Sequence, residues 1–480
     1  MSRVVAGPFN RVEGDLEVTL DISDGVINKA EVTTTLYRGF EQMLAGRPGL
    51  DALVVAPRIC GICSVSQSIA AAAALRDLAG GRAAPNGYLA ANLAHAAENI
   101  ADHLTHFYLF FMPDFARDEY AGRQWFGSAV ERFKAVSGGG SAEFLPMRKR
   151  LLEVMGVIAG KWPHSLAFQP GGTTRAIDVG ERVQLATLLG EFEVFLERVL
   201  YGVPLAQVFS METEDELAAY AGEPGGDFRF FLRLADDLAL SRLGMGPGRL
   251  LSYGAYHTAD GSLMPAGVAS ADGTVAPLDV EGISEDVAHS WFMKTGDRPW
   301  DSETVPTAEK EGAYSWAKAP RLAGYPAETG AVARLAVARH PLILALIARD
   351  GGTSVRTRIV ARLVETAFLV HSMQGWLRQL RLKEEFCSHF ALPHEATGVG
   401  LVEAARGALG HWVSLRSDSI ERYQIIAPTT WNFSPRDVAG VPGPLESALA
   451  GLDTGGLGAK SAALQHVIRS FDPCMVCTAH

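Results

Sequence analysis

Cysteine, excess basic charge and long apolar runs are all scarce in this sequence. It has five cysteines in 480 residues, an odd number and too few for the disulfide framework of a small secreted domain. The formal net charge is −11, so no basic surface is available for nucleic acid. No run approaches the roughly 20 apolar residues of a spanning helix, and the start lacks the features of a signal peptide. These absences predict a cytoplasmic protein that binds no nucleic acid and is not inserted in a membrane.

The remaining composition is that of a globular protein, with 48% hydrophobic and 20% charged residues. Residues 17–37 largely alternate apolar and polar side chains around Asp24-Gly25, which is typical of a β-hairpin. Residues 250–335 are punctuated by Gly, Ser, Asp and Pro, which indicates irregular hairpins. Helical patterns occupy other segments: 53–78, 86–111, 179–203 and 354–382. We predict a mainly α protein with smaller β elements (α+β), a helical body with an N-terminal hairpin or sheet, in one domain over residues 1–480.

Four of the cysteines form two C-x-x-C pairs. The first, Cys60 and Cys63, lies in APRICGICSVSQSIAAAAAL. Gly61 lets the backbone approach a ligand closely, and the helix that follows points its N-terminal amides at Cys63, which favours the metal-binding thiolate. The second, Cys474 and Cys477, lies in SFDPCMVCTAH. Together the pairs predict four sulfur ligands for nickel, iron, zinc or copper(I).

A structural zinc site with four cysteine ligands is the alternative interpretation. The cysteine pairs of such sites are usually close in sequence, whereas almost the whole chain separates these two. A thioredoxin-like redox role is less favoured because neither pair lies in a clear βαβ unit. Cys387 stands alone and is predicted to be a small buried apolar side chain.

Six motifs follow one another along the chain: RVEGD at 11–15, RGFE at 38–41, RICGIC at 58–63, EAARGALGHW at 403–412, YQIIAPTTWNFSPRD at 423–437 and DPCMVCTAH at 472–480. In these motifs, and over essentially its whole length, the sequence resembles the large subunit of the nickel-iron hydrogenases. The resemblance implies heterolytic cleavage of H2, with electrons passed to an iron–sulfur small subunit. This chain has no further cysteines with which to bind clusters itself.

The resemblance also implies a ligand set. All four paired cysteines would bind nickel, and Cys63 and Cys477 would bridge to iron that carries one carbon monoxide and two cyanides. Cys474 is implied as the thiolate that takes the proton, and Glu13 in RVEGD as the carboxylate that relays it. Without the resemblance, Glu13 reads as a surface glutamate near a strand end.

Further roles follow from motif matching alone. Arg406 matches a guanidinium above the metals that orients substrate and anchors one cyanide. Thr429 matches the hydroxyl on the other cyanide, and Asp102 and Asp472 match carboxylates around the arginine. A separate set matches a Mg2+ site: Glu41, His480 and the Ile425 carbonyl. Magnesium prefers oxygen ligands, so the histidine in this set rests on the resemblance. His164 and His411 are predicted to be structural.

The sequence departs from most catalytic members of the family at several positions. Gln67 stands where they have a histidine, so a neutral amide replaces a group that titrates near neutrality. Ala405 replaces the usual proline before the arginine, which we expect to loosen the turn. Ile62 and Phe110 replace smaller residues of the gas channel, which we expect to slow O2 more than H2. The printed sequence ends at His480, without the usual C-terminal extension.

These departures resemble the regulatory, hydrogen-sensing branch of the family. Our first hypothesis is therefore the large subunit of a cytoplasmic H2 sensor with low turnover, which signals through a histidine protein kinase. The second hypothesis is an energy-conserving uptake hydrogenase. The third is a structural zinc protein without catalysis, which metal analysis would distinguish from both.

Overall fold

The computed structural model describes residues 2–480 and contains about 46% helix and 19% strand. This confirms the predicted mainly α architecture with smaller β elements. The strands are β1 Ser2–Ala6, β2 Leu16–Ser23, β3 Val26–Thr34, β4 Phe168–Gln169, β5 Gly172–Thr173, β6 Arg249–Thr258, β7 Gly261–Ser270, β8 Val275–Ala276, β9 Ile283–Asp286, β10 Ala319–Leu322, β11 Ala396–Ala404, β12 Gly407–Arg416 and β13 Ser419–Ile426. They form small sheets in the orders β1-β2-β3, β4-β5, β6-β7-β8, β10-β9 and β11-β12-β13.

The helices form the larger part of the molecule. They are α1 Phe40–Leu44, α2 Ala52–Val55, α3 Ser64–Leu78, α4 Pro85–Thr105, α5 Phe126–Phe133, α6 Gly139–Ala159, α7 Val179–Phe195, α8 Leu205–Phe209, α9 Glu214–Gly222, α10 Asp227–Asp237, α11 Ala331–Val337, α12 Pro341–Asp350, α13 Val355–Gln379, α14 Pro428–Asn432, α15 Pro444–Leu449, α16 Ala462–Ser470 and α17 Met475–Thr478. Helix α13 packs against α4 at the centre, and both are buried along most of their length.

The predicted N-terminal hairpin is present as β2 and β3. Asp24 and Gly25 connect the two strands with φ angles of 52° and 83°, the left-handed conformation that matches a two-residue hairpin to the strand twist. Side chains of β2 alternate between buried and half-buried along the strand. Strand β1 adds a third antiparallel member that the sequence pattern did not indicate.

The helical pattern over 53–78 is interrupted at the first cysteine pair. Helix α2 passes into a 3-10 turn at Ala56–Ile59, and Cys60 is extended with φ −146° and ψ 137°. Helix α3 then begins at Ser64. The two cysteines therefore lie in non-helical backbone, with Cys63 at the N-cap of α3.

Helix α3 lies directly on the sheet β11-β12-β13. Glycines in β11 allow this contact, because a Cβ on Gly400 would lie only 2.0 Å from the carbonyl oxygen of Ala70. A Cβ on Gly398 would likewise lie 2.4 Å from the carbonyl oxygen of Ala74. Small residues on both surfaces therefore determine how closely α3 packs on the sheet, and with it the position of Cys63 at the start of the helix.

Two of the predicted helices end in a wider turn. Helix α4 continues as a π-type turn over His106–Phe111, and α7 continues as another over Leu196–Tyr201 before Gly202. The predicted hairpins of 250–335 are found as β6 to β10. Among residues 2–480 no single helix is long and apolar enough to span a membrane. One pair, α11 with α12, meets that test together but is bent by 110°.

Candidate metal centre

The four paired cysteines converge on one point in the interior. Their sulfur atoms all lie within 4.8 Å of one another. Cys60 Sγ is 3.6 Å from Cys474 Sγ, and Cys63 Sγ is 3.1 Å from Cys477 Sγ. Cys474 Sγ and Cys477 Sγ are 3.0 Å apart. All four side chains are buried, so the two distant C-x-x-C pairs form one sulfur cluster of the kind that soft metals prefer.

Arg38 of the RGFE motif joins the two cysteine segments. Its Nη2 donates to the carbonyl oxygen of Ile59 at 2.6 Å and to the carbonyl oxygen of Val476. Its backbone N–H donates to the carbonyl oxygen of Ala479 at 2.9 Å. Arg38 therefore connects the segment before the first cysteine pair to the segment that carries the second pair. The sequence alone did not indicate this role.

The close packing of four buried thiols changes their pKa values. Hydrogen bonds from the neighbouring cysteines lower the pKa of Cys60 well below its usual value. Hydrogen bonding with Cys474, together with burial, raises the pKa of Cys63 and of Cys477 well above it. A single thiolate is thus readily formed, whereas four together need a bound cation to offset their mutual repulsion.

Arg406 lies in the tight turn between β11 and β12 and is buried. Its Nη2 donates to Asp102 Oδ1 at 3.0 Å and to Asp472 Oδ1 at 3.2 Å, and its Nε donates to the Asp472 carbonyl oxygen at 3.0 Å. Burial raises the pKa of Asp102 to about 8. Burial also opposes ionisation of Asp472, but Arg406 and His106 hold its pKa below the usual value. The structure thus brings together the arginine and both predicted carboxylates.

A buried arginine of α11 fixes the turn that carries Arg406. Arg334 Nη1 donates to the carbonyl oxygen of Ala404 at 2.8 Å, and its Nη2 donates to that of Ala405 at 3.2 Å. Its charge is balanced by Glu365, at 2.6 Å from both Nε and Nη2, and by Glu403 at 2.9 Å. Arg334 thus holds the carbonyl groups of the turn in which Ala405 replaces the usual proline.

Glu13 lies next to the second cysteine pair. Its carbonyl oxygen accepts from Met475 N–H at 2.7 Å, and its N–H donates to the carbonyl oxygen of Pro473 at 3.3 Å. These bonds set Glu13 opposite Cys474 in an isolated parallel bridge. Burial and the charge of Cys474 raise the pKa of Glu13. The residue is half-buried beside the cysteines, not on an outer strand end.

Thr429 caps the second pair from α14. Its Oγ1 accepts from Cys474 N–H at 3.1 Å, and its own hydroxyl proton stays available to a further acceptor. The neighbouring Thr430 is also buried, but its Oγ1 has no partner among residues 2–480. Of the two threonines in the APTTW segment, Thr429 is the one attached to the metal centre.

Gln67 sits one helical turn after Cys63 in α3. Its Oε1 lies 2.8 Å from His411 Nε2, and His411 Nδ1 lies 2.8 Å from the Tyr423 hydroxyl. Burial lowers the pKa of His411 to about 3, so the ring is neutral and donates its one N–H to Gln67. The Gln67 Nε2 group is buried without a partner among residues 2–480.

The two positions expected to lie in a gas channel have different surroundings. Ile62 is partly buried and packs against the hydrophobic cluster that contains the four cysteines. Phe110 lies in the π-type turn after α4 and is also partly buried. Its carbonyl oxygen accepts from Arg11 Nη1 at 2.9 Å, which connects this turn to the loop that carries Glu13.

Glu41, Ile425 and His480 also meet. Glu41 Oε1 accepts from Ile425 N–H at 2.8 Å and lies 3.7 Å from His480 Nε2. The same Nε2 lies 2.8 Å from the Ile425 carbonyl oxygen. A small enclosed cavity adjoins them, lined by polar side chains that include Glu285, Thr304 and Lys318. The predicted magnesium ligands are thus neighbours with several oxygen donors, the kind of donor that Mg2+ prefers.

The residues for which no role in the metal centre was predicted, His164 and Cys387, lie in different surroundings. His164 Nδ1 lies 2.9 Å from the Pro57 carbonyl oxygen, in the loop before Cys60. Cys387 is only partly buried and lines an open groove of about 680 Å³. The expectation that Cys387 is a buried apolar side chain is therefore wrong in part. A loop segment carries it, and its surroundings could not be read from its sequence neighbours.

Comparison with known proteins gives concordant matches. The family model described as "Nickel-dependent hydrogenase" matches residues 38–118 and 238–480. The chain is 28% identical over 514 residues to the periplasmic [NiFeSe] hydrogenase large subunit of Desulfomicrobium baculatum, covering 100% of this chain and 95% of that protein. It is 28% identical over 592 residues to the uptake hydrogenase large subunit of Azotobacter chroococcum mcd 1, with the same coverage.

Solved structures agree with the sequence matches. A reduced, active form of the Ni-Fe-Se hydrogenase from Desulfomicrobium baculatum superposes with a TM-score of 0.86 at 27% identity and covers 100% of both chains. The reduced Ni-Fe-Se hydrogenase from D. vulgaris Hildenborough gives a TM-score of 0.85, also at 27% identity and full coverage.

Proposed function

This chain belongs to the nickel-dependent hydrogenases, and we propose that it is the large subunit of a hydrogen sensor that splits H2 at a nickel-iron centre on its four cysteines. Membership of the family makes it an H2 oxidoreductase subunit that pairs with a small subunit. It also sets aside the structural zinc alternative, because the family is nickel-dependent.

The observation that carries the proposal is the convergence of four buried sulfur atoms within 4.8 Å. The donor set fits a nickel-iron pair: four thiolates are soft ligands, and their crowding requires a cation. When bound, this pair supplies a soft, electron-rich Lewis acid that polarises H2. We further propose that the iron carries one carbon monoxide and two cyanides, held by the N–H donors of Arg406 and the hydroxyl of Thr429.

The proton released from H2 has a short path through residues of this chain. The Cys474 sulfur takes it first, since this thiol faces Arg406 and lies beside Glu13. The Glu13 carboxylate then accepts it, because burial and the neighbouring Cys474 raise its pKa towards the range useful for proton transfer. Asp102 and Asp472 keep the Arg406 guanidinium in place, where it interacts electrostatically with Cys474 and Cys477.

We propose that Mg2+ binds at Glu41, the Ile425 carbonyl oxygen and His480. Supporting this, Glu285 in the adjoining cavity has a buried Oε1 without a partner among residues 2–480. Such a group is satisfied by an ordered water or ion. His480 would use a neutral ring nitrogen as its ligand, and the remaining positions would be oxygen.

The sensing role is supported by Gln67. Its amide occupies a buried position and is tied to the neutral His411, so neither group takes up or releases a proton near neutral pH. A slower proton supply suits a protein that reports H2 rather than one that extracts energy from it. We propose a histidine protein kinase as the recipient of the signal and a cytoplasmic location, both on the resemblance noted from the sequence.

An energy-conserving uptake hydrogenase is the second candidate, favoured by the relatives with that name. The two candidates differ in turnover and in the effect of gene deletion. For the sensor we expect slow steady-state H2 oxidation with an artificial acceptor, and loss of the H2 response of hydrogenase transcription when the gene is deleted. Rapid oxidation together with an unchanged transcriptional response would select the uptake role.

The metal centre itself is tested by composition and spectroscopy. The purified two-subunit protein should contain nickel equimolar with this chain and iron beyond what the clusters of the small subunit account for, and its infrared spectrum should show bands of bound carbon monoxide and cyanide. Zinc in place of nickel would contradict the proposal.

A further inference from the structure

Glu98 of α4 is a buried carboxylate outside the proton path described above. Its side chain accepts four hydrogen bonds. Oε2 accepts from Val65 N–H at 2.8 Å and from Trp162 Nε1 at 2.9 Å. Oε1 accepts from the Ser66 N–H and from the Ser66 hydroxyl, both at 2.9 Å. Three of these four bonds come from Val65 and Ser66, which directly follow the first cysteine pair in the chain.

The two amides belong to the first turn of α3, the helix that begins directly after Cys63. Amides of a first turn have no partner within their own helix, and no side chain at the N-cap of α3 supplies one. Glu98 supplies both acceptors from a neighbouring helix. A negative charge at this end is also favoured by the helix dipole. Glu98 therefore caps α3 from outside and fixes where the helix starts.

A second layer of side chains holds Glu98 in turn. The Ser66 hydroxyl lies 3.1 Å from His95 Nε2, and His95 is buried. Burial lowers the pKa of His95 to about 3, so this ring is neutral. Trp162, from the loop after α6, holds the opposite oxygen. The carboxylate is thus clamped on both sides, and its position relative to Cys63 cannot vary freely.

We propose that Glu98 is a positioning residue for the metal centre: its carboxylate anchors the start of α3, and thereby Cys63, and its negative charge makes the metal pair more electron-rich. This rests on the proposed function, since it takes Cys63 to be a metal ligand. A merely structural cap could be neutral, as Ser, Asn or Gln are. A charged group in the interior is costly to bury and affects the electrostatics of its surroundings.

The test uses Glu98→Gln in the intact two-subunit protein, with metal analysis and infrared spectroscopy at about pH 8. Burial raises the pKa of Glu98 to about 7, so wild-type carries the charge at that pH. The variant keeps similar size but loses it. We expect nickel and iron to be retained and the band of iron-bound carbon monoxide to move to higher wavenumber, because less electron density is donated to that ligand.

Glu446→Gln is the matched control. Glu446 is another buried carboxylate that accepts from a backbone amide, that of Val32 at 3.0 Å, and from the Tyr314 hydroxyl at 2.7 Å. It lies on α15 and contacts none of the four cysteines. The carbon monoxide band should not move in this variant.

Trp162→Phe provides a second variant should Glu98→Gln lose metal. It removes a donor that holds the pKa of Glu98 down, so the carboxyl keeps its proton more readily at pH 8 and the band should move to higher wavenumber, in the same direction as in Glu98→Gln. If Glu98→Gln keeps its full metal content and the carbon monoxide band does not move, the proposal is overturned. If Glu98→Gln binds no metal, an unmoved band in Trp162→Phe overturns it instead. Absence of the bands from wild-type protein would instead overturn the proposed metal centre.

Discussion

Glu13 and Cys474 face each other across a parallel bridge, although they lie at opposite ends of the chain. The backbone bonds of Glu13 run to Pro473 and Met475 on either side of the cysteine. The proposed base therefore depends on the meeting of the N-terminal loop and the C-terminal cysteine loop. Either segment alone carries only half of the proton path.

Replacement of Glu13 by Gln removes the acceptor of the proton while keeping the size of the side chain. We expect exchange between H2 and D2O to fall at least roughly a hundredfold, the usual contribution of a general acid–base group. Nickel and iron content should not change, because no metal ligand is altered. Asp15→Asn, at an exposed carboxylate two residues further on, should exchange at the wild-type rate. Undiminished exchange in Glu13→Gln would remove Glu13 from the proton path.

Single cysteine replacements distinguish the four proposed metal ligands from Cys387, the fifth cysteine. Cys474→Ala leaves three sulfur atoms in a site that uses four, so we expect loss of nickel as measured by elemental analysis of the purified protein. Cys387→Ala, in the open groove away from the cluster, should retain nickel and iron. Nickel retained at full occupancy in Cys474→Ala would show that this sulfur is not a ligand.

The neighbouring buried residues Thr429 and Thr430 allow a test of the hydrogen bond from Cys474 N–H to Thr429. Thr429→Val removes the acceptor of the buried Cys474 N–H, and an unsatisfied buried donor costs about 1–3 kcal/mol. The urea midpoint of unfolding should therefore decrease. Thr430→Val should leave that midpoint almost unchanged, since Thr430 Oγ1 has no partner among residues 2–480. Equal effects of the two substitutions would contradict this assignment.

Glu446 should make stability depend on pH. Burial raises the pKa of this carboxyl from 4.5 to about 7, so the folded protein holds its proton more tightly than the unfolded chain. The stabilisation is present below about pH 4.5 and is lost as the pH rises through 7. It amounts to roughly 3 kcal/mol at most.

Thermal unfolding across this pH range measures the effect. Glu446→Gln, which stays neutral, should show a smaller decrease in melting temperature from pH 5 to pH 8 than the wild type. Glu309→Gln, at an exposed position, should follow the wild-type curve. If Glu446→Gln and wild-type curves are parallel, the proton held by Glu446 does not contribute to stability.

Much of the site could be predicted because its chemistry lies in short, distinctive segments. The C-x-x-C pairs indicated the sulfur cluster before any fold was known, and motif matching brought Glu41 together with His480 and Arg406 with its carboxylates. The hairpin at Asp24-Gly25 followed from local turn geometry. Each of these features is encoded within a few neighbouring residues.

Supporting residues could not be found in this way. Arg334 fixes the Arg406 turn, and Glu98 caps α3, but each acts across a tertiary contact. Their only signal was a charged residue within a helix rich in alanine and other apolar side chains, which a surface position would explain equally well. The break before α3 was anticipated only in part: a helix that begins after Cys63 was expected, whereas the helical periodicity over 53–78 did not indicate the 3-10 turn and the extended Cys60 before it.

Isotope exchange tests the central claim most directly. The two-subunit protein is incubated under D2 in H2O, and the gas phase is followed by mass spectrometry. A centre that splits the molecule heterolytically, with Cys474 and Glu13 exchanging the released deuteron for solvent protons, should produce HD first and H2 afterwards. Protein with full nickel and iron content that forms neither gas would contradict the assignment of this cysteine cluster as an H2-cleaving site.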